Sequence, residues 1–278
     1  MIYDCFPFFN EIDILKIRLN TLDSVVDKFV IYESKYTFSG NIKKFYFEEN
    51  KPLFKDFLHK IIHIKDEDNI ESLNPFERDE YQKNKIEKGI KNCLDEDIIV
   101  FSDCDEIPNP KKIKEILNDF RSDKIYHFAQ DNYYFYLNLL DRSNKLLSFS
   151  GEFPFIFNKK WLGSKLFSYK LIGDKKIVSF RYPEAKKNGI RIKDGGWHFT
   201  YMARDQDDNI IDSIKLKIKS AAHQEFNNEK IINKISDNLS KRKDIFNRRV
   251  RFKKVNIADA HPIYVQNNIN LFKHLILK

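Results

Sequence analysis

The stretch over residues 95–108 constrains the fold of this chain more than any other. It opens with three acids and continues with Ile98–Phe101, an apolar run that is rich in β-branched residues and too short for a helix. Such a run is typical of a strand buried on both faces in a parallel sheet. The predicted strand stops at Ser102, and two carboxylates follow it, Asp103 and Asp105.

These two carboxylates stand where α/β proteins place their ligands, beyond the carboxyl end of a strand. Asp103 and Asp105 on an extended turn could share one hard divalent cation, Mn²⁺ or Mg²⁺, which would also take phosphate oxygens from a substrate. An acid-x-acid pattern is also common in surface turns that bind nothing. The buried strand in front of it and the proline stop at Pro108 behind it favour the metal site.

Before this stretch, the chain alternates between strand and helix patterns. Residues 1–9 predict a first strand, residues 14–26 have helical spacing with Asn10 as a candidate N-cap, and residues 28–33 predict a second strand. This alternation predicts an α/β fold with a mostly parallel, Rossmann-like sheet flanked by helices. With 278 residues, the chain could form one large domain or two small ones.

Further strands are predicted at residues 45–47, 177–182 and 195–201. The last of them begins in a pair of glycines, which allow close backbone approach, and it presents His198 between aromatic residues. A lone histidine in an apolar strand is usually a core residue with satisfied hydrogen bonds. A metal or phosphate ligand is the alternative.

The second predicted strand ends at Glu33. An acid at this position could accept hydrogen bonds from a ribose or a base. A solvated carboxylate at the end of the strand is an equally open alternative.

Positive charge accumulates near the C-terminus. The formal net charge of the chain is +8, and residues 241–254 are strongly basic with Phe246, Val250 and Phe252 interleaved. Such a segment could contact phosphates or an anionic membrane surface, although a solvated face is the simpler interpretation. A basic surplus alone does not distinguish nucleic acid, anionic lipid and phosphorylated substrates.

The sequence predicts a cytoplasmic protein, in peripheral contact with the inner face of the membrane through its basic segment. Cys5, Cys93 and Cys104 are an odd number without metal-ligand spacing, which is typical of reduced thiols. No basic start followed by an apolar core indicates a signal peptide. No stretch approaches the roughly 20 apolar residues of a membrane span.

Taken together, these motifs resemble glycosyltransferase family 17, whose animal members add the bisecting β-1,4-linked N-acetylglucosamine to N-glycan cores. The most specific signal is the run Asp-Cys-Asp-Glu-Ile-Pro at residues 103–108, which matches the family's Asp-x-Asp-Glu-Ile-Pro, followed later by Gly-Trp-His at residues 196–198. The other matching positions, in the family's order, are Asn10, Glu11, Leu15, Arg18, Leu22, Val25, Val26, Asp27, Val30, Glu33, Ser34, Thr37, Gly40, Lys217, Ser220, Pro262, Tyr264, Asn268, Phe272 and Leu275.

The resemblance implies a GT-A fold over residues 1–240, with the basic C-terminal segment 241–278 packed on the same domain. It implies a metal-dependent, inverting transferase that moves N-acetylglucosamine from UDP-GlcNAc to a hydroxyl of a glycan acceptor. The sequence has no counterpart of the animal members' anchor and stem, so their N-glycan acceptor is not carried over. Precursors of bacterial surface polysaccharide or lipooligosaccharide are the expected acceptors.

The resemblance also implies roles around the diphosphate. Asp105 would hold the cation, and Asp103 would bind the ribose, the cation or its bound water. His198 would be a third metal or diphosphate contact, and Lys217 would contact the phosphates. Because negative charge builds on the departing diphosphate, cations at these positions would stabilise it electrostatically.

Asn10 and Glu33 are expected to hold the uridine, and Glu11 is expected to be structural at the start of its helix. Members of the family usually carry Arg followed by Asn or Asp before the central strand, where this chain has Lys83 and Asn84. A lysine lacks the bidentate fork that arginine offers to a phosphate or a sugar.

Inversion requires a base on the acceptor hydroxyl, opposite the leaving group. Glu225 is the first candidate, because it follows the match at Lys217 and the animal enzymes place an acid there. Asp131, Glu152 and Asp194 are the alternatives.

Two functions from other classes stay open. A basic nucleic-acid-binding protein would show a salt-dependent affinity for DNA or RNA that exceeds its affinity for UDP. A nucleotide-sugar or glycan-binding protein without catalysis would bind the donor and neither transfer nor hydrolyse it. The transferase interpretation expects no nucleic-acid partner.

Overall fold

The computed structural model describes residues 1–147, 155–158, 160–182, 185, 189–203, 209–258 and 260–278. The strands are β1 (Ile2–Pro7), β2 (Lys28–Ser34), β3 (Ile61–Asp66), β4 (Ile98–Phe101), β5 (Glu106–Pro108), β6 (Ile125–Phe128), β7 (Asp131–Tyr134), β8 (Leu139–Asp141), β9 (Asn144–Leu147), β10 (Phe155–Asn158), β11 (Lys165–Ser168), β12 (Gly189–Ile192), β13 (Gly196–Thr200) and β14 (Phe252–Lys254). The α-helices are α1 (Ile12–Leu22), α2 (Tyr46–Asn50), α3 (Pro75–Lys85), α4 (Pro110–Leu117), α5 (Ile210–Ser220), α6 (Glu229–Ile232), α7 (Ile235–Ser240) and α8 (Ile263–Asn267). Short 3₁₀ helices span Lys51–Lys60, Ile86–Gly89, Tyr169–Leu171, Ile177–Arg181, Gln224–Phe226 and Ile269–Leu275.

A seven-stranded sheet in the order β12-β6-β11-β4-β1-β2-β3 forms the centre of the fold. The strands from β4 to β3 are mutually parallel, as are β12 and β6. The exception is β11, which runs antiparallel to both of its neighbours, so that its start meets the edge where β1, β2 and β4 end. The predicted α/β class with a mostly parallel sheet flanked by helices is therefore confirmed.

Alternate side chains of β4 enter two cores. Ile98 and Val100 pack with α1 in the larger core, and Ile99 and Phe101 pack in a smaller core that lies against the other face of the strand. Full burial of one such side chain contributes about 2 kcal/mol. The predicted strand buried on both faces is confirmed, and it fixes the point at which Ser102 leaves the sheet.

A second sheet joins the end of β4 to the C-terminal half of the chain. Its order is β14-β8-β7-β13-β5, and β13 pairs antiparallel with β5 so that His198 lies opposite Glu106. From the C-terminal segment, β14 forms an edge of this sheet, and Val265, Phe272 and Leu275 enter the larger core.

The structure corrects the prediction of a strand at residues 45–47. Phe47 lies in the first turn of α2, and its backbone N–H donates to Glu33 Oε1 at 3.0 Å. A buried carboxylate that accepts from the first turn stabilises a helix start, and here it outweighs the strand propensity of aromatic residues. The predicted N-cap of α1 was also wrong by one position, since Glu11 and not Asn10 precedes the helix.

The prediction of a strand at residues 177–182 is also wrong, because Ile177–Arg181 is a 3₁₀ helix. Its first N–H groups donate to two distant side chains, from Ile177 to Glu87 at 2.8 Å and from Val178 to Asn84 at 3.2 Å. These acceptors satisfy groups that a helix start leaves without partners. Among the helices of the described residues, none is long and apolar enough to cross a membrane.

Candidate active site

A cavity of about 240 Å³ opens at the sheet edge where β1, β2 and β4 end. Residues 36–38 after β2, residues 7–9 at the end of β1 and residues 103–106 after β4 line it, and Trp161 lines it shortly before β11. Because the strands stand in the order β2, β1, β4 and β11, these segments follow one another along the cavity in the same order. An elongated ligand in the cavity would contact them in turn.

Arg18 holds the turn that follows β4. The side chain is fully buried, forms a salt bridge of 2.6 Å with Asp4, and donates to the carbonyl oxygens of Asp103, Cys104 and Glu106 at 2.9, 3.1 and 3.0 Å. Removing one partner of such a buried ion pair costs about 3–5 kcal/mol. Arg18 therefore fixes the backbone that carries both aspartates of the motif.

Asp105 faces the cavity between two basic side chains. Lys217 Nζ on α5 lies 2.9 Å from Asp105 Oδ2, and His198 Nε2 on β13 lies 3.6 Å from Oδ1. Burial acts to raise the pKa of Asp105, but Lys217 and His198 outweigh it and hold the pKa below its usual value. Asp105 is therefore a buried anion.

Lys217 is held in its charged form. Its Nζ lies 2.9 Å from Asp105 and 3.4 Å from Glu11 Oε1. Burial acts to lower the pKa of Lys217, but the two carboxylates raise it above its usual value. The expected structural role of Glu11 fits its other contacts, because Oε2 accepts from the N–H groups of Phe9 and Asn10 at 3.3 and 3.2 Å.

Asp103 turns toward different partners. Arg181 Nη2 donates to Asp103 Oδ2 at 2.9 Å, and Lys83 Nζ lies 3.4 Å from Oδ1. The same guanidinium donates to Glu106 at 2.7 and 2.9 Å. Burial acts to raise the pKa of Glu106, but Arg181 outweighs it and lowers that pKa below its usual range. Arg181 thus joins the first and last acids of the turn.

Trp161 completes the cluster from the side of β11. Its Nε1–H donates to Glu106 Oε1 at 2.6 Å, and its ring stacks on His198 with a centroid distance of 4.8 Å and an interplanar angle of 21°. The Trp161 side chain remains 39% exposed. The cluster therefore ends in an aromatic face that is fixed but accessible.

The predicted cation ligands are assembled only in part. The 3.6 Å between Asp105 Oδ1 and His198 Nε2 is too long for a hydrogen bond. Asp103 faces Arg181 and Lys83 instead. Within the described part of the chain, no group of three or more His, Cys, Asp or Glu side chains could hold a metal ion. Asp105 and His198 supply two donor atoms on the cavity side that one such ion could take, whereas Asp103 is turned toward Arg181 and Lys83.

Two buried polar atoms lie beside this pair, His198 Nδ1 and Asn132 Oδ1, and neither has a hydrogen-bond partner among the described residues. His198 and Asn132 are register partners on β13 and β7. A histidine that binds a metal through Nε2 carries its proton on Nδ1 and usually donates it to a second group. The Asn132 oxygen offers an acceptor of the right kind on the neighbouring strand.

The structure brings four of the predicted site residues together, namely Asp103, Asp105, His198 and Lys217. Lys83 joins them through its contact with Asp103. The remaining predictions concern residues that do not line the cavity, Asn10, Glu33, Asn84 and Glu225.

Three of these residues lie outside the cavity, and two of them are held there by hydrogen bonds. Glu33 is fully buried and binds the N–H of Phe47, and its second oxygen lies 3.0 Å from His63 Nε2, so both oxygens are engaged away from the cavity. Asn84 accepts from the N–H of Val178 and so supports the 3₁₀ helix that carries Arg181. Asn10 adjoins the cavity wall at Phe9 without lining it.

Glu225 does not reach the cavity either. Its side chain is 55% exposed and lies 2.6 Å from His223 Nδ1, and this hydrogen bond lowers the pKa of Glu225. Of the alternative bases, Asp131 and Asp194 also do not line the cavity, and Glu152 lies outside the described residues.

Sequence reasoning missed Arg181 and Trp161. Arg181 was not identified as a site residue because its segment has the apolar pattern of a strand. Trp161 stands alone, with no neighbouring motif to single it out. The one available signal was composition, since the chain holds only two tryptophans and the other belongs to the Gly-Trp-His motif.

Comparison with known proteins identifies the family of this chain. Residues 1–251 match the sequence model of glycosyltransferase family 17. No curated protein sequence gives a significant match.

Solved structures show only a distant likeness. A crystal structure of 4-diphosphocytidyl-2C-methyl-D-erythritol synthase has a TM-score of 0.40 at 10% identity, over 69% of this chain and 88% of that one. A crystal structure of S. aureus TarS 1–349 has a TM-score of 0.40 at 11% identity, over 77% of this chain and 63% of that one. Scores this low leave the family match as the finding that bears on function.

Proposed function

Because the chain belongs to glycosyltransferase family 17, we propose that its cavity transfers N-acetylglucosamine from UDP-GlcNAc to a hydroxyl group of a glycan acceptor, with inversion at the anomeric carbon. The observation that carries the proposal is the charged group at the end of β4, in which buried Asp105 lies between half-buried Lys217 and buried His198. Buried charges held at the mouth of a strand are typical of sites that bind and polarise an anionic substrate.

The diphosphate lies at Asp105 and Lys217 in this proposal. The raised pKa of Lys217 keeps its ammonium protonated, so it donates to a diphosphate oxygen while the bond to the sugar breaks. Asp105 and His198 would hold a divalent cation, Mn²⁺ or Mg²⁺, and when bound this ion neutralises charge on the leaving group. Asp103 and Glu106, tied to Arg181, hold the turn in place beside them.

The nucleoside lies toward β1 and β2. Phe9, Tyr36 and Phe38 supply aromatic surface for the uracil at that end of the cavity, and Gln82 supplies an amide that can donate and accept. We place Asn10 beside the ribose, next to the wall residue Phe9. Glu33 is not part of this proposal, because both of its oxygens are engaged elsewhere.

The basic segment 241–254 provides the peripheral contact with an anionic membrane. Its Lys and Arg side chains are exposed on and around β14, and its one acid, Asp244, is buried against Arg248. This surface would attract anionic lipid by about 1 kcal/mol per basic residue near the membrane. It would hold the enzyme at the cytoplasmic face, beside lipid-linked precursors of surface polysaccharide or lipooligosaccharide.

A panel of nucleotide sugars with and without Mn²⁺ tests the proposal by thermal shift. UDP-GlcNAc with Mn²⁺ should raise the melting temperature most, and GDP- and CMP-sugars should not. Slow release of GlcNAc from UDP-GlcNAc would identify a transferase and exclude a binding protein without catalysis. Binding of RNA or DNA that exceeds binding of every UDP-sugar would contradict the proposal.

A further inference from the structure

Trp161 has an unusual combination of exposure and restraint. Its side chain is 39% exposed in the cavity wall, yet its indole N–H is bound to Glu106 at 2.6 Å and one ring face stacks on His198. Its backbone exchanges hydrogen bonds of 3.0 and 2.8 Å with Gln130. The other tryptophan, Trp197, is 8% exposed. Trp161 is therefore an ordered aromatic surface that faces a polar cavity.

Gly163, two residues after Trp161, makes room for the contact between the indole and Glu106. A Cβ added at Gly163 would lie 2.2 Å from the Glu106 carboxyl carbon and 2.5 Å from Trp161 Nε1. Only glycine at this position lets the indole reach Glu106. The indole is thus held by two contacts, to Glu106 and His198, and the Trp161 backbone is held by Gln130.

The order of the residues along the cavity wall determines which part of the donor lies beside the Trp161 ring. The aromatic residues after β2 and β1 lie at one end. Asp105 follows β4 in the middle and is bound by Lys217 from α5, and Trp161 lies beyond them toward β11. In a UDP-sugar the hexose is bonded directly to the β-phosphate. A diphosphate at Asp105 and Lys217 with the uracil toward β2 therefore places the hexose on the side of β11, beside the ring of Trp161.

Resting on the function proposed above, we propose that Trp161 is the sugar platform of the donor site and determines the preference for UDP-hexose over UDP. The face of a hexose ring carries C–H groups, and an aromatic face packs against them while the hydroxyl groups remain free for hydrogen bonds. The fixed indole offers this face without the entropic cost of ordering a side chain.

Calorimetric titration of UDP and UDP-GlcNAc, each with Mn²⁺, into the wild-type protein, Trp161→Leu and Trp161→Phe tests this role. In Trp161→Leu the Kd for UDP-GlcNAc should rise about tenfold while the Kd for UDP changes less than twofold. Trp161→Phe keeps an aromatic face and loses the N–H bond to Glu106, so it should retain most of the preference. Equal weakening of both ligands in Trp161→Leu would show a merely structural role and overturn the assignment.

A measurement on the unmodified protein covers the case in which the leucine variant does not fold. Because Trp197 is buried, acrylamide should quench mainly the emission of Trp161. UDP-GlcNAc should protect this emission and UDP should not; equal quenching with both ligands would contradict the platform. If the wild-type protein bound neither ligand, the proposed function itself would fail, whereas binding of both without a difference at Trp161 would refute the platform alone.

Discussion

The turn at residues 103–106 and the segment at residues 223–254 are both rich in charge, yet they pair their charges differently. In the turn, Asp105 binds Lys217, 112 residues away, and Glu106 binds Arg181, 75 residues away. These partners come from several elements of the fold. The acids of the turn are therefore held by the tertiary structure as a whole.

In the second region, the ion pairs are local and exposed on at least one side. His223 pairs with Glu225 two residues on, and Arg248 pairs with Asp244 four residues back. Exposed pairs of this kind contribute about 0–1 kcal/mol, whereas a buried pair is expensive to break. The difference indicates that substitutions in the turn will affect both fold and activity, and that substitutions of the exposed members of the local pairs in the second region will affect neither strongly.

Asp105→Asn should have the largest effect on activity. The amide keeps the shape of the side chain but removes the anion between Lys217 and His198, so transfer should fall by about 10³-fold and donor binding should lose its dependence on Mn²⁺. Initial rates and calorimetry with UDP-GlcNAc measure both. Asp119→Asn, an exposed acid after α4, is the matched control. Transfer at the wild-type rate in Asp105→Asn would remove this residue from the reaction.

Arg18→Met should have the largest effect on stability. It leaves Asp4 buried without its partner and frees three carbonyl oxygens of the turn, so the free energy of unfolding should fall by about 3–5 kcal/mol. Urea denaturation gives the value. Lys16→Met on the same helix breaks a partly exposed pair with Asp13 and should cost under about 0.5 kcal/mol. Similar losses in the two variants would refute the contrast between buried and local pairs.

Arg181→Lys tests whether the turn needs the bidentate hydrogen bonding of the guanidinium or only its positive charge. A lysine keeps the positive charge but cannot bind Asp103 and Glu106 together, so kcat/KM should fall on the order of tenfold. Arg248→Lys makes the same change at the local pair with Asp244 and should leave kcat/KM unchanged. Equal effects on kcat/KM in the two variants would mean that the bidentate contacts of Arg181 with Asp103 and Glu106 do not contribute to catalysis.

Lys43 should make donor binding depend on pH. Burial lowers its pKa to about 8, although Glu33 and Glu11 oppose this. Because Lys43 lines the cavity and loses its proton above that pH, the affinity for the anionic UDP should fall on the order of tenfold between pH 7 and pH 9.5. Lys43→Arg keeps its charge over this range, and calorimetry should show a flat profile for it. A wild-type profile that is equally flat would contradict the role of Lys43.

Glu225→Gln should have the smallest effect, because the carboxylate is exposed and held by His223 outside the cavity. We expect the transfer rate to change less than twofold. Loss of transfer with normal donor binding would instead restore Glu225 as the base that the resemblance implies.

The sequence was informative where function depends on local pattern. The buried strand β4, the two acids after it and the strand with His198 could all be predicted, because each lies in a short run with a clear periodicity or motif. The family match extended this to Lys217, which has no local signal of its own.

The rest depends on contacts between distant segments. Glu33 lies at the predicted strand end, but its carboxylate accepts a hydrogen bond from the N–H of Phe47 and so stabilises the start of α2. Arg181 reaches the turn because Asn84 and Glu87 satisfy the start of its 3₁₀ helix. No periodicity within either segment encodes these partners, so the sequence alone could not predict them.

A crystal structure with UDP and Mn²⁺ would show whether the end of β4 holds the diphosphate of a UDP-sugar. We predict anomalous density for manganese between Asp105 Oδ1 and His198 Nε2. Lys217 Nζ should donate to a diphosphate oxygen, and the uracil should lie toward Tyr36. Nucleotide bound at another surface, with the turn at residues 103–106 free of ligand, would contradict this prediction.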